Sequence, residues 1–174
     1  MSMNHRISRD ESLMAQALIT SLRSTCSRKQ VGAILALQGR IISSGYAGAP
    51  SGLPHCLDVG CEVNAINPHL GCQRTVHAEL NAIAYAARHG ISTNGASLYC
   101  TLSPCVNCAK ALINAGITHV FFHEAYRDQS GIKLLLESGV QCTQLNALSV
   151  NVTHEPTQSA SHSKPSEQGE LFSS

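Results

Sequence analysis

The alternation of apolar and polar positions divides the chain into a short series of elements. Ser8 and Glu11 have the S-x-x-E spacing of a capping box. Behind them Leu13, Met14, Ala17, Leu18, Ser21 and Leu22 recur at helical spacing and predict a helix near 9–24. QVGAILAL (30–37) and RIISSGY (40–46) are β-rich runs around Gln38-Gly39 and predict a hairpin. Residues 47–72 carry Gly48, Gly52, Gly60 and Gly71 with Pro50, Pro54 and Pro68, which reads as an irregular insertion, functional or organised by a metal. From His77 the segment HAELNAIAYAARHG turns helical, with Gly90 at its C-terminal end. SLYCTL (97–102) predicts a strand, and PCVNCAKALINAG a helix opened by Pro104 and stopped at Gly116. HVFFHE (119–124) is a strand, 129–138 a shorter helix, and GVQCTQL (139–145) a last strand. The order αββαβαβαβ predicts an α/β fold with a mixed sheet of about five strands flanked by helices. Residues 153–174 are rich in Ser, Gln and Pro, so the expectation is a folded domain over 1–152 and a flexible polar tail.

Composition narrows the function. A chain of 174 residues suits one domain, and 43% apolar with 13% charged residues supports an ordinary core. A net charge of +1 leaves no footprint for a phosphate polymer, and 4 Tyr, 3 Phe and no Trp make a poor stacking platform for single strands. No nucleic-acid partner is therefore expected. The N-terminal segment has no uninterrupted apolar core and carries Arg6, Arg9, Asp10 and Glu11; no run of 18 apolar residues occurs. The expectation is a cytoplasmic protein (host cytoplasm if phage-encoded) without a membrane partner. Its 8 Cys and 9 His then point to metal or catalysis, because cytoplasmic thiols stay reduced.

Three of these residues form a constellation. His77 opens one predicted helix, and Cys105 and Cys108 open another, three apart and so on one helical face. A helix N-terminus favours the thiolate that zinc requires. One nitrogen and two sulfurs leave a fourth tetrahedral position open, the arrangement of catalytic zinc. Glu79 is not needed as a ligand and can carry protons for a zinc-activated water. H-x-E followed by P-C-x-x-C is the pattern of zinc-dependent nucleobase deaminases, and here both halves stand in order, 28 residues apart. Either half alone has a plainer reading: C-x-x-C as structural zinc or a redox pair, H-x-E as coincidence.

The chain also resembles the deoxycytidylate (dCMP) deaminase family, including its phage and bacterial members. The matching stretches are STCSRKQVGA (24–33), RIISSGYAGAPSG (40–52), HAELNAI (77–83), LYCTLSPCVNCAKALINAGI (98–117) and EAYRD (124–128). The resemblance implies a three-layer α/β/α cytidine deaminase-like fold and hydrolysis of dCMP to dUMP and ammonia, feeding thymidylate synthesis. A zinc-activated water would attack C4 of the cytosine, with Glu79 protonating N3 and then the departing amine. It further implies a homo-oligomer, commonly a hexamer, activated by dCTP and inhibited by dTTP at a separate nucleotide site that uses Mg2+. One position departs from the pattern. The family's G-Y-N-G has Asn where this chain has Ala47, and the missing amide bears on how the sugar is held, so another cytosine nucleotide, dCTP or a 5-substituted dCMP, is the alternative substrate. A tRNA adenosine deaminase shares the zinc motif, although charge and aromatic content count against a polynucleotide. A non-catalytic zinc module, with Glu79 idle, is the alternative of a different class.

Cys26, Cys56, Cys61 and Cys72 lie in or near the irregular insertion, where apolar residues are sparse. A closed four-cysteine zinc site would give that segment order. His55 or His69 could replace one sulfur, and free or redox thiols are the alternative. Certain members of the resembled family hold a second zinc with residues matching Cys26 and Cys56. Cys100 and Cys142 read as core residues in strands. Arg28 is a phosphate-binding candidate because Arg suits bidentate contacts; as one of 12 basic residues it reads equally as a surface charge. By resemblance, Tyr126 is a candidate to pack on the pyrimidine. In the tail, Gln168 to Phe172 has the Q-x-x-L-F form of a sliding-clamp docking peptide, an apolar pair in a polar segment.

Overall fold

The computed structural model describes residues 6–63 and 71–146. Five strands, β1 (Gly32–Leu37), β2 (Arg40–Tyr46), β3 (Ser97–Leu102), β4 (His119–Glu124) and β5 (Gln141–Gln144), form one sheet in the order β2-β1-β3-β4-β5. β1 runs antiparallel to both β2 and β3, while β3, β4 and β5 are parallel. This pairing has a consequence for function. β2, β3 and β4 all end at the edge of the sheet where β1 begins, so their exit loops gather in one place.

The helices are α1 (Arg9–Ser21), α2 (Cys56–Val59), α3 (Ala78–Arg88), α4 (Val106–Asn114) and α5 (Ser130–Glu137). Alternate strand residues face opposite layers. Ile34, Ala36, Tyr99 and Phe121 pack with Leu13, Met14 and Ala17 of α1. Ala33, Leu35, Leu98, Cys100, Val120 and Phe122 pack with Ala78 and Ala82 of α3, Ala109 and Leu112 of α4 and Leu135 of α5. The three-layer arrangement is therefore present, with one long helix on one face and three on the other.

Capping begins α1 as the sequence predicts. Its Ser8 amide donates to Glu11 Oε2 at 2.6 Å, and the Glu11 amide donates to Ser8 Oγ at 3.2 Å. At the far side, α3 lies so close to β2 that a Cβ on Gly45 would fall 2.3 Å from the Ala78 carbonyl. Only glycine permits that approach, and it sets the height of α3 above the sheet. The Asn81 side chain reinforces the contact by donating to the Tyr46 carbonyl at 2.7 Å.

The insertion is less irregular than its Gly and Pro content suggests, since one helical turn, α2, forms within it. Two paired bridges tie the insertion down, Gly48 with Val76 and Val63 with Cys72. The first places Val76, and hence His77, beside the end of β2. Among the described residues no helix is long and apolar enough to cross a membrane. The tail 153–174 with Gln168–Phe172, and His69 in the insertion, lie outside the described residues.

Candidate active site

Two helix starts meet at the edge where the exit loops gather. His77 is the N-cap of α3 and Cys105 the N-cap of α4, both in extended backbone conformation. The His77 side chain makes no capping bond to its own helix, as a Ser or Asp would, while Cys105 bonds Cys108 one turn into α4. The two side chains turn toward each other. His77 Nδ1 stands 3.6 Å from Cys105 Sγ and 3.3 Å from Cys108 Sγ. The three ligand atoms lie within 4.8 Å of one another, the one such set of His, Cys, Asp or Glu side chains among the described residues.

The protonation pattern suits a cation. A hydrogen bond from Cys108, with a further contribution from His77, pulls the Cys105 thiol down to about 4. The same bond to Cys105, together with burial, pushes the Cys108 thiol up. The bond to Cys105 lifts His77 to about 9 against the opposing effect of its own burial. The cluster therefore holds one thiolate and gathers protons around it, the state expected of a donor set that a divalent ion would deprotonate on binding. One nitrogen and two sulfurs at this separation fit zinc.

Glu79, on the first turn of α3, is 4% exposed. Burial raises its carboxyl above the usual range, and a hydrogen bond with the Cys108 thiol keeps it against the ligand set. It lines a cavity of about 400 Å³ together with His77 and Cys105. Arg28, Ala47 and Tyr126 line the same cavity, so every substrate-contact candidate from the sequence converges there. Ala47 is held by its backbone: its amide donates to the Val31 carbonyl at 2.9 Å, and its carbonyl accepts from Ser24 Oγ at 2.7 Å.

Sequence reasoning did not single out four further lining residues, Lys29, Ser103, Glu124 and Arg127. Ser103 joins two exit loops. Its amide donates to the Glu124 carbonyl at 2.9 Å, and its hydroxyl accepts from the Tyr126 amide at 2.8 Å. Lys29 Nζ lies 2.6 Å from Glu124 Oε2, and the Arg127 guanidinium sits 5.7 Å from the Tyr126 ring centroid. The adjacency of Lys29 to Arg28 and of Arg127 to Tyr126 was the available signal. Gly131 at the start of α5 also reaches this edge, where a Cβ would fall 2.1 Å from the Pro104 carbonyl oxygen and 2.8 Å from the Cys105 carbonyl carbon.

Residues 7–124 match the model of the cytidine and deoxycytidylate deaminase zinc-binding region. The chain belongs to that deaminase family. It is similar to ComE operon protein 2 of Bacillus subtilis, with 42% identity, covering 80% of this chain and 72% of that protein. It is 33% identical to the deoxycytidylate deaminase of Enterobacteria phage T4, covering 63% of this chain and 75% of that one. The deoxycytidylate deaminase of Saccharomyces cerevisiae is longer: the match covers 81% of this chain and 46% of the yeast protein, at 32% identity. Among solved structures, the dCMP deaminase of cyanophage S-TIM5 in complex with dCMP and dUMP superposes with a TM-score of 0.70 and 32% identity, covering 81% of this chain and all of that one.

In this deaminase the second cysteine group is looser than the first. Cys56 Sγ lies 3.6 Å from Cys72 Sγ and 3.4 Å from Thr75 Oγ1, and Cys61 hydrogen-bonds Cys72. Burial would push the Cys72 thiol up, but bonds from Thr75, Cys61 and the Arg74 and Glu62 backbone outweigh it and pull it down to about 6. Cys26 is near enough for its charge to act on Cys56. His55 caps α2 and shares a hydrogen bond between its Nδ1 and Thr25 Oγ1 at 3.1 Å. Cys100 is buried in the core as expected; Cys142, on the edge strand β5, is only half-buried.

Proposed function

We propose that this chain is a zinc-dependent deoxycytidylate deaminase that converts dCMP and water to dUMP and ammonia. The observation that carries the reading is the placement of Glu79, His77 and Cys105 on the wall of one 400 Å³ cavity, with the buried Cys108 Sγ within 4.8 Å of the other two ligand atoms. That volume suits a mononucleotide better than a polymer. The similarity to the cyanophage and phage T4 dCMP deaminases supports the same substrate.

His77 Nδ1 and the two sulfurs would hold the ion, which when bound supplies the Lewis acidity that makes water a nucleophile near neutral pH. Glu79 does the proton work. Its carboxylate takes one proton from the attacking water and delivers it to N3 of the ring, then takes the second from the hydroxyl now on C4 and passes it to the amino nitrogen, which leaves as ammonia while C4 becomes a carbonyl. Burial favours the protonated form that this delivery requires. Tyr126 offers a ring for the pyrimidine, and Arg28 a fork for the 5′-phosphate. Ala47 lacks the amide that would bond the sugar, and this favours a second reading in which another cytosine nucleotide is preferred.

A structural zinc on Cys26, Cys56, Cys61 and Cys72 is part of the proposal, supported by the contacts among Cys56, Cys61 and Cys72. Assembly as a hexamer in the cytoplasm, with dCTP and dTTP acting at a Mg2+-dependent effector site, follows from the family resemblance. Exposed Leu53, Leu57 and Val59 on the insertion support an assembled state, because an isolated chain gains nothing from leaving them in water.

The test is a turnover panel of dCMP, dCTP, 5-methyl-dCMP and CMP on zinc-loaded protein, with and without effector. Glu79→Ala is expected to lower dCMP turnover by roughly 10²- to 10⁴-fold while retaining its zinc. Absence of turnover in wild type makes the site a zinc module without catalysis, undiminished turnover in the variant removes Glu79 from the mechanism, and a better substrate than dCMP moves the assignment to that nucleotide.

A further inference from the structure

We infer that Glu124 is a specificity-determining residue that restricts the site to a nucleotide with a single phosphate. The inference rests on the deaminase reading of the cavity. Three cations, Arg28, Lys29 and Arg127, line the cavity together with Tyr126, and the carboxylate of Glu124, which lines it too, is paired with Lys29. Lys29 Nζ approaches Glu124 Oε2 at 2.6 Å across 95 residues of sequence, joining the segment before β1 to the end of β4. Both side chains are 52% exposed. An ion pair that open to solvent contributes little to stability, so its consequence is the charge it places at the rim.

The backbone that carries the carboxylate is held in place. The Glu124 carbonyl accepts from the Ser103 amide at 2.9 Å, and the Ser103 hydroxyl accepts from the Tyr126 amide at 2.8 Å. The backbone of Glu124 is thereby tied to the loop that carries Tyr126. With Lys29 engaged by Glu124, Arg28 and Arg127 are left to meet the phosphate. Two guanidinium groups balance the charge of one monophosphate near neutral pH. A β- or γ-phosphate would add negative charge with no further unpaired Lys or Arg among the described lining residues, in a cavity that already holds a carboxylate. Discrimination of this kind works by repulsion as much as by attraction.

The inference predicts opposite shifts from the two halves of the pair. Zinc-loaded wild type, Glu124→Gln and Lys29→Met are compared on dCMP, dCDP and dCTP, each followed by its own deaminated product, with competitive Ki measured where turnover is absent. In Glu124→Gln the kcat/KM of dCTP relative to dCMP is expected to rise by roughly tenfold, about 1.4 kcal/mol of differential binding. The change should reside in KM, with dCDP intermediate. Lys29→Met should lower the same ratio, because the carboxylate is then unshielded. If wild type deaminates dCMP but the ratio is unmoved in both variants, or moves the same way in both, Glu124 has no such role. If zinc-loaded wild type fails to deaminate dCMP, the reading of the site itself is overturned.

Discussion

The two cysteine-bearing regions of this deaminase are built on opposite principles. His77, Cys105 and Cys108 sit on the first turns of helices whose other faces are buried against the sheet, and their donor atoms stand within 4.8 Å of one another. Cys26, Cys56, Cys61 and Cys72 hang on turns and a single helical turn, and they meet in pairs rather than as a set. Packing of apolar residues fixes the first group before any ion arrives. The second has few apolar neighbours to fix it, with Leu53, Leu57, Val59 and Val63 all exposed. A catalytic site needs preorganisation, which secondary structure provides; a structural site is where the ion itself supplies the order.

The largest expected effect comes from disturbing the preorganised side. Gly131 lets α5 approach so closely that an added Cβ would meet the Pro104 carbonyl oxygen at 2.1 Å. Backbone on both sides leaves no flexible side chain to yield. Gly131→Ala should therefore shift Cys105 or push α5 away, lowering dCMP turnover by roughly a hundredfold and weakening zinc retention against a chelator by 10- to 100-fold. Turnover and retention equal to wild type would show that the position of Cys105 does not depend on α5.

The looser region makes the complementary prediction. Cys72 is the thiol that bonds Cys56, Cys61 and Thr75. Cys72→Ser should release the second equivalent of zinc while the first remains, and should open the insertion to proteolysis more than it alters the far-ultraviolet dichroism. Elemental analysis of purified wild type and variant decides it. A wild-type content near one zinc per chain would remove the structural ion, leaving free thiols.

These regions also differ in how far the sequence discloses them. The clustering of His77, Cys105 and Cys108 with Glu79 was legible because each stands at a helix start marked by its own punctuation, Pro104 before Cys105 and the apolar period after His77. The first strands of the sheet were legible as β-rich runs around a turn, QVGAILAL and RIISSGY on either side of Gln38-Gly39. α2 was not, since a single turn in a Gly- and Pro-rich stretch has too few positions to show a period. Lys29, Ser103, Glu124 and Arg127 were missed for another reason. Lys29 adjoins Arg28 and Arg127 adjoins Tyr126, but the Lys29–Glu124 pair forms across the fold, and the 95 residues between its members leave no local trace of it. Gly131 carries the same lesson, because no pattern along one helix reveals the backbone of another lying against it.

The smallest effect concerns the cost of preorganisation itself. Glu79 is buried beside the ligand set, and desolvation holds its carboxyl above the ordinary range. In the zinc-stripped chain the folded state therefore keeps a proton that the unfolded state releases. Stability then falls as pH rises from the ordinary carboxyl value through the raised folded one. Glu79→Gln removes this titration while preserving shape and much of the hydrogen bonding. The variant should be more stable than wild type at pH 8, on the order of 1 kcal/mol. The gain should shrink as pH is lowered through the carboxylate range, where wild-type Glu79 becomes neutral in both states. Denaturant midpoints at a series of pH values measure the difference. A gain that stays constant with pH, or a loss at pH 8, would mean that Glu79 is stabilised as a carboxylate by His77 and that the helix start carries no strain for the sake of its chemistry.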